Sequence, residues 1–281
     1  MIFHVYDTGP NANAYAYTGG RPWPASVEPG RCVVFVHGAL NDHSVWTLLA
    51  RWYAHHGYAV LAVDQPGHGR SDGPPLASVE ALADWLVALL DAAGVPSAHL
   101  VGHSMGSLIA LEAAARAPAR VARLVMVGTA YPMAVSPALL EAGEHDPFAA
   151  IDSVNALSIS TMAGKPSYPG PGVWLHGADR ILARRLQGAQ RDANLFLTDF
   201  RVCDRYRGGL EAAARVTCPT TLVLGARDQM TWPKHASALA EALQARVVTL
   251  PTGHSVMSEA PDALLAALRE AVGPESATAA S

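Results

Sequence analysis

Residues Gly102-His103-Ser104-Met105-Gly106 decide how this chain is read. They follow an apolar run, Ala98-His99-Leu100-Val101, and open an alanine-rich helical pattern from Ser107 to Ala117. Strand, tight turn and helix in that order are the setting in which G-x-S-x-G holds a serine hydroxyl out at a strand end. The turn is cramped. Gly102 must let strand and helix approach closely, and Gly106 must have no side chain to strike the strand behind it. Ser104 is then forced into a strained backbone conformation. The plainer alternative is a glycine-rich turn with a helix-capping serine; the preceding strand and the partners downstream favour a nucleophile.

Working outward, Cys32–Val36 and Ala59–Val63 are continuous apolar runs, as expected of strands buried on both faces. Trp46 to His56 reads as a helix ended by Gly57. Ser78 and Glu80 start another that runs through Leu82, Leu86, Leu89 and Leu90. With a strand at 98–101, a helix at 107–117 and a strand at Leu124–Val127, the rhythm is βαβα, which demands right-handed crossovers and a mostly parallel sheet. Two short antiparallel strands are expected before it, at Phe3–Tyr6 and Ala14–Thr18. Arg21 to Gly30 carries three prolines and reads as a surface turn.

The rhythm stops after Gly128. From Thr129 to about Gly209, weak helical patterns (Pro137–Ala142, Phe148–Leu157, Ile181–Gln190 and Asp192–Asp199) are interrupted by proline, glycine and polar residues. Gly164–Gly172 excludes regular structure, and such loops are usually functional or mobile. Strand and helix return at Thr220–Leu224, Pro233–Leu243, Val247–Leu250 and Ala260–Val272. Residues 274–281 are small and polar, the pattern of a disordered tail. No internal repeat is found.

Composition narrows the function classes. Of 281 residues, half are hydrophobic and 16% charged, with a net charge of −4, a globular balance. No basic stripe or acidic tail points to nucleic acid or an anionic membrane as partner. The N-terminal residues lack the pattern of a secretory signal, and no stretch approaches the roughly 18 apolar residues that span a bilayer. A soluble, cytoplasmic protein is expected. Cys32, Cys203 and Cys218 form neither a disulfide framework nor a metal-binding spacing; Cys32 and Cys218 read as buried apolar residues. His55-His56 closes a helix, where histidine suits the dipole. No metal and no cofactor are called for.

This order of motifs resembles the α/β-hydrolase superfamily. The resemblance covers residues 32–128 and 219–272. It rests on His37-Gly38 after the third strand, Asp64-Gln65-Pro66-Gly67-His68-Gly69-Arg70-Ser71 after the fourth, the Gly102–Gly106 elbow, Gly225-Ala226-Arg227-Asp228 after the penultimate strand and Gly253-His254 after the last. It implies an eight-stranded, mostly parallel sheet flanked by helices. The core would be 1–128 with 210–273, and 129–209 a helical cap inserted after the sixth strand.

The chemistry follows residue by residue. A serine hydroxyl needs a base within hydrogen-bond reach to attack a carbonyl at neutral pH. Histidine suits the task, and His254 sits in the loop after the last strand, at the same sheet edge as Ser104. His37 is expected to order the neighbouring loop, His68 to hold its own turn, and His103 to point away from the pocket. Asp228 follows the nucleophile and precedes His254, the chain order the superfamily uses for serine, acid and histidine. Its plainer role is a helix cap. Gly128-Thr129, where some relatives keep the acid, holds no carboxylate.

By resemblance, the oxyanion donors are the backbone N–H groups of Met105 and Ala39, with Leu40 open as the alternative to Ala39. Candidate substrate contacts are Leu40, Tyr131, Trp174, Met230, Trp232 and Val256; Met133, Phe148, Met162, Leu175 and Phe196 are further large apolar residues of the cap. No arginine or lysine stands in an obvious pocket position, Lys165 and Arg180 being the two cap cations left open. The expected activity is hydrolysis of a carboxylic ester with a mainly apolar acyl group, a small molecule, through an acyl-enzyme. The same three residues serve carbon–carbon bond hydrolases, lactonases and thioesterases, and the fold also hosts binding receptors. Dehalogenases and epoxide hydrolases are disfavoured because they carry aspartate where Ser104 stands.

Overall fold

The computed structural model describes residues 1–5, 13–160, 174–190 and 193–273. Strand β1 (Ile2–His4) pairs antiparallel with β2 (Asn13–Tyr17), which pairs antiparallel with β4. Next come β3 (Cys32–Val36), α1 (Thr47–His55), β4 (Ala59–Val63), α2 (Val79–Ala92), β5 (Ala98–His103), α3 (Met105–Arg116) and β6 (Val121–Val127). Between β6 and the next strand stand α4 (Pro137–His145), α5 (Pro147–Ser158), α6 (Leu175–Ala189), α7 (Leu195–Arg205) and α8 (Gly209–Ala213). The chain closes with β7 (Thr220–Gly225), α9 (Ser237–Ala242), β8 (Arg246–Leu250), α10 (Val256–Glu259) and α11 (Pro261–Val272). The strand order is β1-β2-β4-β3-β5-β6-β7-β8, parallel from β4 onward. The eight-stranded, mostly parallel sheet expected from the sequence is therefore present.

Alternation along the buried strands builds two cores. Val34, Val36, Leu61, Leu100 and Leu222 face α2 and α3, packing on Leu82, Leu86, Leu108 and Ile109. Val33, Phe35, Val101, Val125 and Val223 face the other way, onto Leu49 and Tyr53 of α1 and Leu264 and Leu268 of α11. This is the period-two pattern of a sheet covered on both faces. Ser78 caps α2, its hydroxyl accepting the Ala81 N–H at 3.1 Å.

Register carries the site. Val36 pairs with Gly102, and His103 with Val127, so β3, β5 and β6 end at one edge. The loops bearing His37, Ser104, Gly128, Asp228 and His254 all leave the carboxyl ends of parallel strands, where ligands bind in open α/β sheets. Helices α5, α6 and α7 share an apolar centre, in which Ile151, Leu186, Leu195, Phe196 and Phe200 pack with Leu40 from the loop after β3.

The helices differ from expectation at their ends. The stretch read as one helix from Trp46 begins as a 3-10 turn at His43–Trp46, and Pro233–Ala236 is likewise 3-10 ahead of α9. Helix α6 starts at Leu175 rather than Ile181, and α7 covers Leu195–Arg205 rather than Asp192–Asp199. Short α8 had no sequence signal. The 164–172 stretch, Met162, Lys165, Tyr6 at the end of the first expected strand, and residues 274–281 lie outside the described residues. Among the described residues, no helix is long and apolar enough to cross a membrane.

Candidate active site

The elbow is as cramped as its glycines require. A Cβ on Gly102 would collide with the Gly106 carbonyl, and one on Gly106 with the carbonyls of Val36 and His37. Ser104 takes φ 52° and ψ −121°, a left-handed value that costs a non-glycine residue roughly 1–3 kcal/mol. Bonds on both sides hold it there. Ser104 N–H donates to Val127 O at 2.9 Å, while its carbonyl accepts the Ser107 N–H at 2.8 Å and hydroxyl at 2.6 Å.

His254 and Asp228 meet across the sheet edge. The imidazole Nδ1 lies 2.8 Å from Asp228 Oδ2. An ionised carboxylate only accepts, so Nδ1 carries the proton and Nε2 is left as an acceptor. Asp228 takes three more donors: the N–H groups of Met230 and Thr231 at 2.8 Å each, and the Thr231 hydroxyl at 2.6 Å. Burial works to raise the Asp228 pKa. The His254 charge and hydrogen bond, with the side-chain and backbone hydrogen bonds of Thr231, outweigh it and bring the carboxyl down to about 2. Glu259 fixes the histidine loop by accepting the Gly253 N–H at 2.8 Å. Ser104 and His254 both line one cavity of about 240 Å³. Among the described residues no hydrogen bond joins the two.

His103 corrects its expectation. Its ring does not point away but lines the cavity and packs on the His254 ring, centroids 4.7 Å apart. Its Nε2 donates to His254 O at 2.9 Å. Burial, followed by the neighbouring His254, pushes its pKa down to about 3, so it stays neutral.

His37 and His68 hold loops, as expected. His37 Nδ1 lies 2.8 Å from Gly38 O, and its Nε2 accepts the Gln65 N–H at 3.1 Å. Burial, then His68, lowers its pKa to about 4. His68 Nδ1 faces Pro66 O at 3.1 Å. Asp64 draws its own turn together through the His43 and Arg70 N–H groups, at 2.7 and 2.9 Å. The His43 ring nitrogen lies 2.7 Å from the same carboxylate, so the Asp42, His43 and Asp64 group is tied up internally.

Leu40, the alternative donor to Ala39, has a partner of its own. Its N–H is taken by the Asp199 carboxylate at 2.9 Å. No acceptor among the described residues takes the N–H of Ala39 or Met105.

Of the expected substrate contacts, Leu40 and Met230 line the cavity, as do Ala39 and Met133. Four lie elsewhere. Tyr131 packs on Tyr206 and bonds to the Arg207 carbonyl; Trp174 is exposed and stacks on His176; Trp232 is exposed beneath Lys234; Val256 is buried in the α11 core. Arg180 is bound to Asp152. Cys203 lines the cavity, its thiol pushed up by burial and then by Asp199 and Asp204, which suits packing rather than attack. Cys218 is half-buried rather than buried.

Residues 33–267 match the alpha/beta hydrolase family, and the chain belongs to it. It is 30% identical over 240 residues to the dihydrolipoyllysine-residue acetyltransferase component of the acetoin cleaving system of Pseudomonas putida, covering 83% of this chain and 61% of that protein. It is 30% identical over 253 residues to the sn-1-specific diacylglycerol lipase ABHD11 of Mus musculus, covering 82% and 76%. The chain spans less than two thirds of the length of several curated relatives it matches. In fold it is similar to an esterase from Exiguobacterium antarcticum, with a TM-score of 0.79 at 17% identity over 98% of this chain and 99% of that one.

Proposed function

We propose that this alpha/beta hydrolase is a serine esterase in which Ser104 is the nucleophile, His254 the general base and Asp228 its orienting acid. The reading is carried by the buried Asp228–His254 pair, 2.8 Å across, set over the cavity that Ser104 lines. With Nδ1–H bound to Asp228, Nε2 is the tautomer that can take the serine proton. Ser104 Oγ then attacks the ester carbonyl, and the oxyanion rests on the N–H groups of Ala39 and Met105. His254 protonates the leaving alcohol and afterwards activates the water that releases the acid. Asp228 is not itself protonated; it stabilises the transient imidazolium.

Residues 129–209 act as the cap. Val135, Leu139, Ile151, Val154 and Phe200 from this segment roof the cavity, and an apolar roof suits an apolar acyl chain of small to medium size. The mouse relative's name, a diacylglycerol lipase, supports ester over amide chemistry. Turnover of p-nitrophenyl acetate and butyrate by the purified protein tests the reading. Hydrolysis with an initial burst is expected; a folded protein with neither burst nor turnover would indicate a binding module.

A further inference from the structure

We infer that Asp199 is a positioning residue for the oxyanion site: from the inserted helices it clamps the Leu40 N–H and so aims the N–H of Ala39 at the reacting carbonyl. The inference rests on the proposed esterase reading, which makes Ala39 a donor.

Three observations converge. Leu40 takes φ 55°, a left-handed value at a β-unbranched but bulky residue, where glycine would carry no strain. Something must hold it. Its N–H donates to Asp199 Oδ2 at 2.9 Å, across 159 residues of chain, and its side chain packs with Ile151, Leu195 and Phe200 of the insertion. The loop so held runs directly against the nucleophile: a Cβ on Gly38 would stand 3.1 Å from Ser104 Cβ. Ala39 lies between these two fixed points, so its N–H direction depends on both.

The clamp has a locked counter-charge. His68 Nε2 lies 2.9 Å from the same Asp199 oxygen, while Nδ1 faces the Pro66 carbonyl at 3.1 Å. Both ring nitrogens meet oxygens that only accept, so both carry protons. Burial opposes this, but the Asp199 charge and hydrogen bond leave the His68 pKa raised. Asp199 and His68 are 2% and 3% exposed. A buried carboxylate paired in this way has one orientation and resists displacement. A merely structural ion pair would not need to spend its oxygen on a strained loop N–H beside the nucleophile.

The test is the isosteric Asp199→Asn variant, assayed on p-nitrophenyl butyrate and by inactivation with diethyl p-nitrophenyl phosphate, whose phosphoryl oxygen must enter the same donor site. The expected result is a roughly 10- to 100-fold loss in both kcat and the inactivation rate, with KM within about threefold of the parent. A folded variant with kcat unchanged, or with kcat lowered while inactivation is not, overturns the clamp. A parent protein inert to the phosphate ester instead sinks the esterase reading itself. Should the variant not fold, the Leu40 amide of the parent decides: hydrogen exchange slowed well below that of an open loop is expected, and rapid exchange of that N–H overturns the clamp.

Discussion

The ring of His103 donates from Nε2 to the backbone carbonyl of His254 at 2.9 Å, and the two imidazoles lie 4.7 Å apart, tilted by 47°. The residue beside Ser104 therefore braces the loop that carries His254, the proposed base. Replacing it with phenylalanine keeps an aromatic surface but removes the bond. His103→Phe should lose about 1 kcal/mol of stability and about tenfold in kcat, read by urea unfolding and ester turnover. An unchanged kcat would mean the His254 loop is held without it.

Asp228→Asn keeps the shape of the side chain but presents an amide where the carboxylate held the ring. The favoured tautomer is then wrong, and a fall in turnover on the order of 10⁴ is expected with the fold retained by circular dichroism. Survival of most of the activity would require another acid.

Two buried histidines set an acid limit on stability. His37 and His103 have folded-state pKa values of about 4 and about 3, below the unperturbed value of about 6.5. Between those values the unfolded chain binds protons that the native one does not, so their contribution is full above about pH 6.5 and is lost as pH falls towards 4 and then 3. Each adds about 1.4 kcal/mol per pH unit to that fall. His68, whose folded pKa is raised, is protonated in both states there and adds no slope. Urea midpoints at pH 7, 6 and 5 should fall more gently in His103→Phe than in the parent; parallel curves would refute the assignment.

Asp179 is the one carboxylate among the described residues lining the cavity, and they include no lysine or arginine. Its pKa is raised by burial, against hydrogen bonds from Ser255 and Ser258. Esters with an anionic tail should react roughly tenfold more slowly than neutral isosteres, and Asp179→Asn should narrow the gap. Equal rates in the parent would remove Asp179 from the substrate's path.

Much of this fold was legible in the chain. The strands at Cys32–Val36 and Ala59–Val63 are found with those bounds because unbroken apolar runs flanked by turn residues have few other uses. The Gly102 and Gly106 spacing is dictated by backbone overlaps that no other residue type survives. Asp228 and His254, expected together from strand ends and the chain order the resemblance implies, meet at 2.8 Å. Side-chain contacts are less legible: the His103 ring packs on the rings of Trp46 and His254, partners far away in the chain. Trp174, a pocket candidate for its bulk, and Trp232, a candidate from its place beside Asp228, are both exposed, because sequence proximity does not fix which way a loop faces. Asp199 and Thr231 gave no signal. Asp199 acts on a loop N–H 159 residues away, and a threonine beside an acid is too common to single out.

In the proposed reaction the hydroxyl of Ser104 becomes covalently bonded. Intact-mass spectrometry after treatment with a fluorophosphonate, followed by peptide mapping, tests it directly. One adduct on the peptide bearing Ser104, absent in Ser104→Ala and strongly slowed in His254→Ala, is the predicted result. Full labelling of Ser104→Ala, or an adduct mapped to another residue in the parent, would contradict it.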